Sequence, residues 1–154
     1  MPYIYAVLLP FPPLRPLEGF RPVKPHITLL KLRRPIETTV SARRFLATLG
    51  EVVILPSRSK PRFIALEAKP YSDFLSLRRA LEVAVGGSLE ERYIEFRPHA
   101  TLYSVRLKRP SEDELEPALR EAASLRGFSF EVREVHLVDT TGGEYKSLRS
   151  IKLA

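Results

Sequence analysis

The chain contains no cysteine, tryptophan, asparagine or glutamine, and only three histidines, three aspartates and one methionine among its 154 residues. Without cysteine there is no disulfide, thiolate nucleophile, iron–sulfur cluster or cysteine-based zinc site. So few histidines and aspartates also leave metal-assisted chemistry little to draw on, and neither a metal nor another cofactor is expected. The same shortages, with an acid set that is mostly Glu, match the avoidance of thermolabile side chains in hyperthermophiles. No apolar run approaches the roughly 18 residues of a membrane span. The N-terminal segment, interrupted by Pro10, Pro12 and Pro13, does not read as a signal peptide. A cytoplasmic protein without a membrane partner is expected.

With 44% hydrophobic and 28% charged residues, the composition is that of a globular protein. The length suits one domain, 1–154, and a monomer is expected. Lys and Arg number 25 against 18 Asp and Glu, for a net charge of +7. The alternatives are a polyanionic partner or a charged surface that merely leans positive. Among partners, nucleic acid ranks ahead of a membrane because no basic amphipathic anchor is visible.

Strands are expected at Tyr3–Leu9, Pro25–Leu32, Glu51–Leu55, Arg62–Ala68, Tyr93–Phe96, Ala100–Leu107 and Phe128–Val138, the last pairing as a hairpin with Tyr145–Leu153. Pro10–Lys24 holds five prolines and reads as an extended connector. Helices are expected over Glu37–Gly50, from Ser72 to Gly86–Gly87, and from Ser111, where Ser111 and Glu114 form a capping box, to Gly127. The order strand, connector, P-H-x-T-L strand, helix, strand occurs twice, and the first copy lacks the connector helix of the second. The expected class is α+β.

His26-Ile27-Thr28-Leu29 and His99-Ala100-Thr101-Leu102 each follow a proline, Pro25 and Pro98. With seven Thr in the chain, two of three histidines having Thr two places on is roughly a 1% coincidence. Alternation along a strand puts His26 with Thr28, and His99 with Thr101 and Tyr103, on one face, while Ile27, Leu29, Ala100 and Leu102 enter the core. A pseudo-two-fold repeat brings both polar faces to one cleft. Facing imidazoles suit in-line displacement at phosphorus, one taking the nucleophile's proton and the other protonating the leaving oxygen. The hydroxyls of Thr28 and Thr101 can hold the non-bridging oxygens. This chemistry needs no metal.

PHITLL and PHATLY resemble the paired H-x-[T/S]-x signatures of the 2H phosphoesterase superfamily. The element order resembles its 2′-5′ RNA ligase-like, RNA 2′,3′-cyclic phosphodiesterase branch, up to a closing Gly142-Gly143-Glu144-Tyr145. The resemblance implies a bilobal fold: two antiparallel sheets lining a central cleft, with helices outside. It implies that His26, Thr28, His99 and Thr101 are the catalytic set. The implied reaction opens a 2′,3′-cyclic phosphate to a 2′-phosphate, and run toward joining it makes a 2′-5′ linkage. The implied partners are RNA ends or nucleotides bearing that group. A non-catalytic RNA-binding module using the same basic cleft is the alternative. The proline-rich connector departs from the family pattern, which places a helix there, and suggests a cleft more open on that side.

Secondary candidates are Tyr103, for stacking or phosphate contact, and Lys24 and Arg97, which flank the motifs. Lys31, Arg33 and Arg34 form a basic cluster. Tyr145 reads as a packing residue and His136 as structural.

Overall fold

Tyr3–Leu8 (β1) alternates core and cleft-facing side chains, as a strand with neighbours on both sides requires. The computed structural model describes residues 2–86 and 95–154. After β1 come β2 (Phe20–Leu32), β3 (Phe45–Pro56), β4 (Pro61–Lys69), helix α1 (Tyr71–Val85), β5 (His99–Val105), helix α2 (Glu112–Ala123), β6 (Ser129–Val132), β7 (Glu134–Asp139) and β8 (Lys146–Lys152). The strands form one eight-stranded sheet in the order β6-β3-β4-β5-β2-β1-β7-β8, with every named pairing antiparallel. The two expected sheets are thus edge-joined halves, and the join is the pairing of the two motif strands, β2 and β5. Each half borrows a strand: β3, which follows β2, pairs with β4, while β7, which follows β5 and α2, pairs with β1.

The single expected strand Phe128–Val138 is divided at Arg133 into β6, one edge of the sheet, and β7, which lies next to the strand at the other edge. Consecutive residues can reach both ends only if the sheet curls back on itself, and it does. One face of the sheet carries the core, where Tyr5, Leu29, Leu66, Leu102 and Phe74 are all fully buried. On this core side α1 packs against β2 and β4, and α2 against β3 and β4. The capping box at α2 is present, Glu114 N–H donating to Ser111 Oγ and Ser111 N–H to Glu114 Oε1. The N-cap of α1 is Pro70 rather than Ser72. Among the described residues, no helix is long and apolar enough to cross a membrane.

The expected helix over Glu37–Gly50 does not form. Its C-terminal part is the start of β3, held between β4 and β6. Upstream, the backbone bonds to the chain's end: Ala154 N–H donates to the Ala42 carbonyl and Arg44 N–H to that of Ala154. Val40, Phe45, Leu46 and Leu49 have helical spacing, yet Leu46 is 66% exposed; two-sided strand pairing has overridden the local pattern. Gly50 sits within a bulge of β3, between Leu49 and Val52, rather than at a helix end. The Tyr93–Phe96 strand and Gly87 fall wholly or partly outside the described residues; Glu95 and Phe96 have no regular structure.

The proline-rich connector lies on the core side, away from the cleft. Phe11, Leu14 and Leu17 pack on the core, Phe11 meets Phe128 edge-on at 5.3 Å, and Arg15 pairs with Glu121 of α2. It replaces the absent helix as a lid on the core, and none of its residues before Phe20 lines the cavity that holds the histidines. The expectation of a cleft opened on that side is therefore corrected.

Candidate active site

Across the β2–β5 ladder His26 is opposite Thr101 and Ile27 opposite Ala100. Continuing this register sets Thr28 opposite His99, so each imidazole neighbours the other motif's hydroxyl. Ile27 and Ala100 are fully buried in the core, and the four polar side chains face the other way into a cavity of about 680 Å³.

A local device fixes how far this polar face extends. On β5, Thr101 pairs with Ala65 and Tyr103 with Ile64, leaving Leu102 as an extra residue. On β2, Thr28 pairs with Ala6 and Leu30 with Tyr5, leaving Leu29 extra. A β-bulge therefore follows each threonine at the same offset, so two successive side chains turn to the core. This overturns the placement of Tyr103 in the cleft. Tyr103 is fully buried against Phe20, its hydroxyl donating to the Arg15 carbonyl at 2.8 Å.

The two histidines are anchored alike. His26 Nδ1–H donates to the Lys24 carbonyl at 2.7 Å, and His99 Nδ1–H to the Arg97 carbonyl at 2.7 Å. A carbonyl accepts only, so it selects the tautomer and leaves Nε2 as the atom for chemistry. His26 is only 3% exposed, whereas His99 is partly open. Burial, and secondarily the nearby His99, outweigh the Lys24 carbonyl and lower the His26 pKa to about 4. His26 is consequently neutral at pH 7.

Tyr145 covers His26, ring centroids 4.3 Å apart and planes inclined by 34°. It follows the Thr141–Gly143 turn at φ +51°, a conformation that costs a bulky residue about 1–3 kcal/mol. The surrounding turn must hold it there. Reading Tyr145 as packing alone was incomplete, since it also lines the cavity. The signal available was the Gly142-Gly143 pair, whose positive φ values shape the turn.

Arg97 lines the cavity, paired at 3.3 Å with Glu95. Lys24 contributes its carbonyl; its side chain donates to the Tyr145 carbonyl at 3.4 Å and does not line the cavity. Of the basic cluster, Lys31 lines the cavity and Arg33 and Arg34 do not. His136 lies outside it, with Nδ1 2.8 Å from Ser147 Oγ and Nε2 3.5 Å from Glu134. Arg78 was not foreseen. This buried cation on α1 lines the cavity, pairs with Glu82 at 2.7 Å, donates to the Leu29 carbonyl at 3.0 Å and lies 4.9 Å from the Phe96 ring centre. Among the described residues no cluster of three or more His, Asp or Glu could hold a metal ion.

The fold and the paired motifs define a 2H phosphoesterase. The chain belongs to the 2′-5′ RNA ligase superfamily, whose family model matches residues 14–144. Among the solved structures that share the fold, three span nearly the whole chain. The protein TT0787 of Thermus thermophilus is 22% identical with a TM-score of 0.69, covering 99% of this chain and 97% of that one. A protein described as a phosphoesterase is 20% identical with a TM-score of 0.66, covering 99% and 98%. Escherichia coli LigT, complexed with 3′-AMP, is 20% identical with a TM-score of 0.64, again covering 99% and 98%. No curated protein matches the chain. Membership in this family implies phosphoesterase chemistry.

Proposed function

We propose that the protein is a metal-independent RNA 2′,3′-cyclic phosphodiesterase that opens the cyclic phosphate to a 2′-phosphate. The observation that carries the reading is the matched anchoring of His26 and His99, which offers two Nε2 atoms of the same tautomeric design to one cavity. His26, buried and neutral, is the general base: its Nε2 takes a proton from water as the water oxygen bonds to phosphorus. The P–O3′ bond breaks in line, and His99, entering the step protonated, gives the Nε2 proton to O3′. Thr28 and Thr101 donate to the non-bridging oxygens, where negative charge builds up in the transition state. With a 5′-hydroxyl in place of water, the same displacement forms a 2′-5′ linkage. The 3′-AMP bound by LigT supports a nucleotide as the cavity's occupant.

The test is incubation with 2′,3′-cyclic nucleotides and cyclic-phosphate-ended oligonucleotides in excess EDTA. A 2′-phosphate product is expected. A 3′-phosphate, no product, or turnover restored only by a divalent ion would overturn the reading.

A further inference from the structure

The turn that carries Tyr145 is secured unevenly along its length. Its first half is tied close to β7: Thr140 N–H donates to the Pro2 carbonyl at 2.7 Å, Gly143 N–H to that of Thr140 at 3.0 Å, and Thr141 N–H to Asp139 Oδ1 at 2.9 Å. None of these reaches past Gly143, and the ladder to β7 resumes only at Lys146, opposite Asp139. Tyr145 sits in the gap, and the contacts that reach this half come from β2. Lys24 Nζ donates to the Tyr145 carbonyl at 3.4 Å, a long hydrogen bond. The Arg21 guanidinium covers Gly143: a Cβ there would lie 3.3 Å from Nη2 and 3.5 Å from both Cζ and Nη1, whereas one on Gly142 would meet nothing within 4 Å. Both glycines have positive φ, +71° and +75°, so the backbone conformation explains both, and only Gly143 also leaves a seat for the cation. The Arg21 charge extends to the phenol of Tyr145, favouring its ionised form against the larger, opposite effect of burial.

We propose that Arg21 is a positioning residue, bracing the Gly143 turn so that the ring of Tyr145 stays over His26. Its bearing on catalysis rests on the phosphodiesterase reading, in which His26 is the base, whereas the contact itself does not. Tyr145 has φ +51°, which a bulky residue keeps only where its surroundings over-determine it, and a brace on the preceding residues supplies that. Arg21 and the Lys24 carbonyl that accepts from His26 Nδ1 belong to one strand, so β2 sets both the tautomer of the imidazole and the cover above it. Around His26 stand Leu8 on β1, Thr101 and His99 on β5, and Tyr145 from the turn. Of the charged or titratable groups that line the cavity, Lys31, Arg78, Glu95, Arg97 and His99, it is His99 whose charge bears on the protonation of His26. Arg21 therefore acts on the imidazole through the tyrosine ring.

The experiment is an NMR titration of the His26 ring, with kcat/KM profiles alongside, in the wild type, Arg21→Ala, Arg21→Lys, Tyr145→Ala and the double variant Arg21→Ala/Tyr145→Ala. Arg21 is exposed, so the fold survives its loss. Arg21→Ala should raise the His26 midpoint by about one pH unit as water gains the ring, and the acid limb should move with it. Arg21→Lys keeps the charge and the reach but not the flat guanidinium, and should fall between. In the Tyr145→Ala background, loss of Arg21 should add nothing. An unmoved midpoint in Arg21→Ala overturns the brace. So does a shift that adds in full to that of Tyr145→Ala, because the cation would then act on the imidazole directly. A wild type without turnover, whose midpoint still moves in Arg21→Ala and no further in the double variant, upholds the brace and overturns the phosphodiesterase reading. Normal turnover with an unmoved midpoint does the reverse.

Discussion

The ring of Tyr145 lies 4.3 Å from that of His26 and keeps the imidazole dry on the side the strands do not cover. Tyr145→Ala should let water reach His26 and raise its pKa from about 4 toward 6.5. The acid limb of the kcat/KM profile should then move to higher pH, with a modest loss at pH 8. Tyr145→Phe, which keeps the ring, should leave the limb in place. An unmoved limb in Tyr145→Ala would reduce this contact to packing.

The wild-type profile is itself diagnostic. A base must be unprotonated, so activity should persist through pH 6 and fall only as His26 takes up a proton near pH 4. The alkaline side should fall as His99 loses the proton it donates. An acid limb close to 6.5, with chemistry shown to limit the rate, would contradict the assignment of His26 as base.

Stability should follow the same proton. His26 has a folded pKa below its unfolded value, so the unfolded chain binds the proton more readily. This contribution is complete above pH 6.5 and is lost as pH falls toward 4, amounting to about 3 kcal/mol. Denaturant unfolding of the wild type and His26→Ala at pH 7 and pH 4.5 measures it: the variant should lose markedly less on acidification.

His26→Ala and His99→Ala should each lower kcat by about 10² to 10⁴, with the double variant well short of the product of the two losses. His136→Ala is the control, since His136 bonds Ser147 outside the cavity. A larger loss at His136 than at His26 would relocate the site.

Arg78 invites a stability measurement. Beyond His99 no β5 residue continues the ladder on β2, and the bulged Leu29 carbonyl instead accepts from Arg78 Nη1. Arg78→Met keeps much of the side-chain bulk but leaves that carbonyl without its donor, at a cost of about 1–3 kcal/mol. Urea midpoints of the two proteins would show it.

That His26, Thr28, His99 and Thr101 share one cavity was legible because each pair stands at alternate positions of a single strand, twice. The capping box at Ser111 was legible for the same reason, being purely local. What escaped depends on pairing partners. Phe45–Gly50 has helical spacing, yet the ladders to β4 and β6 make it strand. Tyr103 follows a bulge visible only in the register with Ile64 and Ala65. Arg78 is remote from either motif in sequence, and its position at the cavity wall is set by how α1 packs on β2.

The paired bulges have a consequence for how the pocket could change. Each motif strand offers the cavity one imidazole and one hydroxyl, after which the extra leucine rotates the chain and commits the next positions to the interior. The breadth of this polar floor is therefore written in backbone count rather than in side-chain identity. Substitution at Leu29, Leu30, Leu102 or Tyr103 meets the core and its packing constraints, while the cavity walls at Leu55, Phe63 and Phe96 can change without disturbing the two histidines.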